Sequence, residues 1–128
     1  MRNGAQQYKK TSITTASNTQ ILILLYEAAI RNVKKASDCI DAKDMAGKGV
    51  AIVRSHDIIN ELANTLNFEV GGDIAHELNR LYNFCIDQLV KANAENDKKA
   101  LEAVAKVLEN LLEGWRGAIS QLSSKKVP

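Results

Sequence analysis

Ile21 to Ile30 reads ILILLYEAAI, ten residues in which Glu27 is the only charge. Thr15-Ala16-Ser17-Asn18 precedes it, a helix-start signal, since Ser or Asn oxygens cap the unpaired N–H groups of a first turn. A helix packed on one side needs a single apolar stripe covering roughly 100° of its circumference. Leu22, Leu25, Ala29, Val33, Ala36 and Ile40 supply it at alternating spacings of three and four. Ile21, Ile23, Leu24, Tyr26 and Ile30 are left over, pointing along other faces. One neighbouring layer cannot cover them all, so the run predicts a helix with apolar surface to spare.

The rest of the chain agrees with a helical reading. Its 128 residues fit one domain with a single sizeable core. The only proline is Pro128, so nothing interrupts long helices, and aromatics are just 5% against 45% apolar residues in all. Lys and Arg number 17 against 15 acidic residues, a net charge of +2 that is too small to argue for nucleic acid by itself, and no nucleic-acid partner is expected. Cys39 and Cys85 both fall on apolar helical stripes and are expected as buried thiols rather than a disulfide framework. No basic segment leads into an apolar run and cleavage site, and ILILLY falls far short of the roughly 20 apolar residues of a membrane span. A cytoplasmic protein without membrane insertion is the expectation.

Residues 1–17, MRNGAQQYKKTSITTAS, read as a flexible polar arm whose large apolar side chains besides Met1 are Tyr8 and Ile13. Helix one is expected from about Asn18 to Ala42. A second follows from Asp44 to Leu66 or Asn67, with the stripe Ile52, Ser55, Ile59, Leu62 and Leu66. Gly71-Gly72 breaks the chain and Asp73 can cap a third helix striped by Ile74, Leu78, Leu81, Cys85, Leu89 and Ala92. Asn96-Asp97 leads into the fourth, where Leu101, Val104, Leu108, Leu111, Trp115, Ala118 and Leu122 alternate three and four without a break. Short connections force neighbouring helices antiparallel. The predicted fold is all-α: an up-down-up-down four-helix bundle over 18–122, between the arm and a disordered tail, 123–128.

Chemistry is scarce in this framework. Di-iron bundles use Glu-x-x-His on two helices, and the sequence holds no Glu-x-x-His. His56 and His76 lie beside Asp57 and Glu77 without ligand partners at i+3 or i+4, so both are read as exposed or hydrogen-bonded side chains. Gly71-Gly72 lacks a preceding strand and a P-loop lysine, which leaves it a turn. No catalytic residue, metal site or cofactor is expected. The class is a binding protein, not an enzyme.

The assembled residues resemble the flagellin export chaperone family of the bacterial flagellum. The likeness begins at Tyr8-Lys9-Lys10-Thr11-Ser12 and Thr15-Ala16-Ser17, and passes into Leu22-Ile23-Leu24-Leu25-Tyr26-Glu27-Ala28-Ala29-Ile30, similar to the family's LYDGAI-type helix start. Leu66-Asn67-Phe68-Glu69-Val70-Gly71-Gly72-Asp73-Ile74-Ala75 resembles its Gly-Gly connection between helices two and three. Leu78, Leu81, Tyr82, Leu89, Ala92, Asn93, Leu111 and Trp115 follow at family-like spacing, so the resemblance spans roughly 8–118. It departs at Asn18, where the family commonly has proline, at Glu27 (aspartate) and at Ala28 (glycine). Gly47, Gly49, Gly114 and Gly117 look local to this chain.

The resemblance implies a monomeric or weakly dimeric bundle that holds unpolymerised flagellin in the cytoplasm and presents it to the flagellar export gate protein, with room for other flagellar partners. In such a chaperone the disordered C-terminal segment of flagellin becomes helical in apolar grooves between the helices. Ile23, Leu24, Tyr26 and Ile30 are the main groove candidates, with Tyr82 and Trp115 in or beside the core. Tyr8 and Ile13 are candidates for a plug over the groove or, through the tyrosine, for gate docking. A different class stays open at this stage: a generic helical adaptor or homo-oligomer whose apolar faces are covered by another copy.

Overall fold

The computed structural model describes the backbone of residues 2–125 and the side chains of residues 18–122. Four helices make up the described residues: α1 (Arg2–Asp41), α2 (Met45–Asn64), α3 (Phe68–Glu95) and α4 (Lys98–Lys125). They pack in a ring in chain order, with α4 closing onto α1. Cross-links fix the directions. Arg116 reaches Glu27 at 3.0 Å and Lys34 reaches Glu109 at 2.8 Å, so positions rise on α1 as they fall on α4. The all-α antiparallel bundle is as predicted.

Its core follows the stripes closely in the middle of each helix. Ala29, Val33 and Ala36 of α1 are buried against Ile52, Ile59 and Leu62 of α2, Leu78, Cys85, Leu89 and Ala92 of α3, and Leu101, Val104 and Leu108 of α4. Ser55 is also buried. Its hydroxyl donates to the Ala29 carbonyl at 3.3 Å, so the one polar member of the α2 stripe is satisfied inside the core. Cys39 and Cys85 are both buried free thiols. Burial pushes the Cys85 thiol up to about 12.

The helix ends differ from expectation in four places. The α1 backbone runs helically through Ser17 and Asn18, which are therefore interior positions and not caps. Without a proline ring at 18, nothing blocks continuation towards the N-terminus. The side chains of 1–17, Tyr8 and Ile13 with them, lie outside the described residues, as do those of 123–128.

At the next junction Asp44, read as the start of helix two, is the cap of α2, its carboxylate accepting from the Gly47 N–H at 2.9 Å. Gly47 is needed there, since a Cβ would meet Asp44 Oδ2 at 2.2 Å. For α3, however, Asn67 and not Asp73 is the cap, accepting from Glu69 and Val70 N–H groups at 3.1 Å. One helical turn then precedes a kink at Gly72, whose φ of 52° lies in the left-handed region open to glycine.

The remaining two differences lie at the bundle's far end. Ile74 is 71% exposed instead of core, because the inward face of α3 runs through the buried Ala75, Leu78 and Tyr82, which turns Ile74 outward opposite the last turns of α4. There Ala118 and Leu122 are exposed and Trp115 is only partly buried, although all three continue the stripe. The apolar pattern of α4 outruns the core it belongs to.

Candidate functional site

The run that opened the sequence lies at this far end, where α1 has apolar side chains on every face. Leu22 and Leu25 pack against the core, while Ile21 and Leu24 stand 53% and 61% exposed. Grooves flank these turns on both sides. On the α4 side, Thr19, Gln20, Ile23, Leu24 and Ile119 line a depression of about 310 Å³. On the α2 side, Asn18, Thr19, Ile21, Leu22, Leu25, Leu62 and Thr65 line one of about 450 Å³. Exposed apolar surface concentrated in one region marks an interaction site more often than scattered single residues do. Phe68, Val70, Ile74 and Leu122, also exposed, belong to the same end of the bundle.

The six bundle residues singled out by sequence separate into two sets. Ile23 and Leu24 do line the α4-side groove. Tyr26 and Tyr82 are enclosed in the core, and Ile30 is buried with only a small edge at a shallow depression further along the α1–α4 seam. The correction has a physical reason: Tyr26 points into the bundle interior, where Tyr82 of the diagonally opposite α3 and Trp115 of α4 enclose its ring from two sides. Its hydroxyl is paired with that of Tyr82, and Trp115 Nε1 donates to it at 3.1 Å. Burial raises both tyrosine pKa values. Trp115 is partly buried, its indole N–H turned inward to this bond. The trio is a polar knot in the core that ties α1, α3 and α4 together.

Ile119 is the groove residue that sequence reading passed over. From Trp115 the stripe can step three, to Ala118, or four, to Ile119, and the regular alternation favoured the wrong one. A larger side chain at the four-step position was the available signal. Below this groove the α1–α4 seam continues under ion pairs. Arg116–Glu27 flanks a shallow depression at Ile30 and Leu112, and Lys34–Glu109 flanks the next at Val33 and Leu101.

The knot's hydroxyls and the Cys85 thiol are held protonated by burial, the opposite of nucleophile activation. Among the described residues no group of three His, Cys, Asp or Glu is placed to hold a metal ion. His56 accepts or donates to Asn60 at 3.2 Å, and His76 stacks on Phe68 with ring centroids 4.7 Å apart. No described helix is long and apolar enough to cross a membrane. What the site can do is hold an apolar side chain or several, on a helical surface.

A family model for the flagellar protein FliS matches residues 1–122. The chain belongs to the FliS family. The flagellar secretion chaperone FliS of Vibrio cholerae is 32% identical over 119 residues, covering 90% of this chain and 88% of that protein. The flagellar secretion chaperone FliS of Salmonella typhimurium is 34% identical over 113 residues, covering 88% and 84%. A crystal structure of a bacterial flagellar chaperone superposes with a TM-score of 0.81 over 93% of this chain and 97% of that one; at 24% identity, this likeness establishes the fold. The chain is thus a member of a family of flagellar secretion chaperones, whose named relatives are chaperones and not enzymes.

Proposed function

We propose that this FliS-family protein binds the C-terminal segment of flagellin in the cytoplasm, keeps it from polymerising and hands it to the type III export gate of the flagellum. The observation that carries the reading is the exposure of Leu24 beside Ile23 and Ile119 in a groove walled by two helices. An amphipathic helix lays its i, i+3, i+4 side chains into such a groove. Apolar burial at roughly 25 cal/mol per Å² drives association, against the cost of ordering a disordered segment. An interface of one to three thousand Å² offsets that cost, so the partner must extend past one pocket. The α2-side groove and the exposed Phe68, Val70 and Ile74 are available for that extension.

Tyr8 and Ile13 enter this reading as a plug competing for the groove, and Tyr8 as a gate-docking residue. Competition in cis lowers apparent affinity by the fraction of chaperone held closed. Calorimetry with a synthetic peptide of the cognate flagellin C-terminus tests the whole reading. Saturable binding accompanied by a gain of helical circular dichroism is expected, with affinity unchanged or higher after removal of residues 1–17. A peptide that neither binds nor gains helicity would sink it.

A further inference from the structure

Leu112 is the last buried residue of α4 among the described side chains. Over the next ten positions, 113–122, only Trp115 and Ile119 are even partly buried. These turns are joined to α1 by three links: the Trp115 N–H donated to Tyr26, the Arg116–Glu27 ion pair, and Ile119 across the groove from Thr19, Gln20, Ile23 and Leu24. Two of the three are polar bonds to the single turn containing Tyr26 and Glu27. The opposite wall is different, because α1 continues directly into the buried Tyr26, Ala29 and Ile30.

The same ten positions hold Gly114 and Gly117, and a Cβ built on either meets nothing within 4 Å. No close approach therefore calls for glycine there, in contrast to Gly47. What glycine does contribute in a helix interior is weakness, since it is the poorest helix former after proline. The groove is also small for a helix. About 310 Å³ takes a few anchoring side chains, whereas a helix with its side chains is roughly 10–12 Å across.

We propose that residues 113–122 of α4 are a movable wall, softened by Gly114 and Gly117 and latched to α1 through Trp115 and Arg116, which swings aside to seat an amphipathic helix against Ile23. The inference rests on the flagellin reading for the identity of that helix. A wall of this kind gives the site an adjustable width. Local opening breaks the two polar latches, the Ile119 contact and the partial packing of the Trp115 ring, while the core below Leu112 stays packed.

Two variants of the full chain push the wall in opposite directions. Gly114→Ala with Gly117→Ala stiffens it without steric conflict. Trp115→Phe keeps the ring and removes the N–H latch, leaving the Tyr26–Tyr82 pair in place. Hydrogen exchange on the free protein should show amides 116–122 opening at least about tenfold more readily than 101–108, with the double glycine variant suppressing the difference. Stopped-flow mixing with the flagellin C-terminal peptide should show association about tenfold slower for the double variant and faster for Trp115→Phe. Exchange as slow at 116–122 as at 101–108 in the wild type overturns the movable wall. So does a double variant that exchanges slowly yet associates as fast as the wild type. A wild-type protein that ignores the peptide altogether defeats the flagellin reading and the wall's use with it, while exchange still decides whether the wall opens.

Discussion

The two ends of the bundle are built on different principles. At the end carrying the α1–α2 and α3–α4 loops, polar groups lock the helices. Lys48, itself buried, donates from Nζ to the Asn93 carbonyl at 2.9 Å and to Asn96 Oδ1 at 2.6 Å, closing the C-terminus of α3 with a positive charge where the helix dipole favours one. Lys98 pairs with Asp41 at 2.8 Å across the neighbouring loops, and this bond holds the ammonium above its ordinary range. Asn96 takes a left-handed cap conformation, and Asp44 caps α2. At the far end the same four helices leave Ile21, Leu24, Phe68, Val70, Ile74 and Leu122 exposed. Met45, Val50 and Val90 are exposed at the loop end too, so what sets the far end apart is its pair of apolar grooves on either side of α1 and not exposure alone. On the proposed reading, stability and binding are separated along a single bundle axis.

A pair of charge substitutions in α1 tests that separation most severely. Ile30→Asp sets a carboxylate into the core without a partner and should destabilise the bundle by several kcal/mol, about 3–5 or enough to unfold it. Leu24→Asp, six residues earlier and exposed, should stay within about 0.5 kcal/mol of the parent in chemical denaturation. Its peptide affinity should nevertheless fall about tenfold or more, as for loss of a central apolar anchor. Unfolding of the Leu24 variant would place that residue in the core and erase the contrast.

Next in size comes the lock at the other end. Lys48→Met keeps the aliphatic stem but strips the Asn93 carbonyl and the Asn96 amide oxygen of their donor. Both acceptors sit on exposed residues that water can reach, so losing the bonds costs about 0.5–1.5 kcal/mol and the melting temperature should drop by a few degrees. Peptide affinity should not change, because the site lies at the other end. A loss of binding in this variant would mean that the two ends communicate.

Alkaline pH probes the knot that joins the binding end to the core. Burial raises the Tyr26, Tyr82 and Cys85 pKa values in the folded state. Between the unfolded and folded values the native protein holds more protons than the unfolded chain, so stability falls as pH rises. The full contribution is present below about pH 9 and is lost progressively above it. The Cys85 thiol alone, moved from an ordinary 9.0 to about 12, gives a slope of about 1.4 kcal/mol per pH unit once pH exceeds 9. Melting temperatures between pH 8 and 10.5 check the sign, and Cys85→Ala should flatten the slope. A melting temperature indifferent to pH over that range would show that Tyr26, Tyr82 and Cys85 are not buried in solution.

The middle of each helix was legible from spacing alone, because a residue flanked by three helices has one way to be satisfied. Val33, Ile59, Leu89 and Leu108 follow directly from the three-four rhythm. The ends were not legible by the same rule. Ala118 and Leu122 keep the rhythm yet lie exposed, since periodicity reports which face is apolar and not how far the neighbouring helices reach. Tyr26 and Ile30 were misassigned for the complementary reason. A helix touching two neighbours and a diagonal one buries more than a single stripe, and the surplus around Ile21–Ile30 divides between a wider core and a true surface. Only three-dimensional packing divides it: Tyr26 and Ile30 inward, Ile21 and Leu24 outward. The surplus was real, and part of it is exposed surface.

The smallest expected effect concerns the ion pairs along the α1–α4 seam. Lys34 and Glu109 meet at 2.8 Å, but their side chains are 64% and 47% exposed, so solvent and salt screen the attraction. Lys34→Ala should change stability by no more than about 0.5 kcal/mol in denaturant titration at physiological salt. Arg116 and Glu27 make a pair of similar length, yet theirs sits on the movable turns of α4 and has little else to share its role. Arg116→Ala should be as mild in global stability while raising exchange at 116–122, because it removes a latch and not a core contact. Equal behaviour of the two variants in exchange would mean that the seam opens, or stays shut, as one piece from end to end. Unequal behaviour places the boundary between lock and wall between Glu109 and Arg116, one turn either side of the last buried leucine.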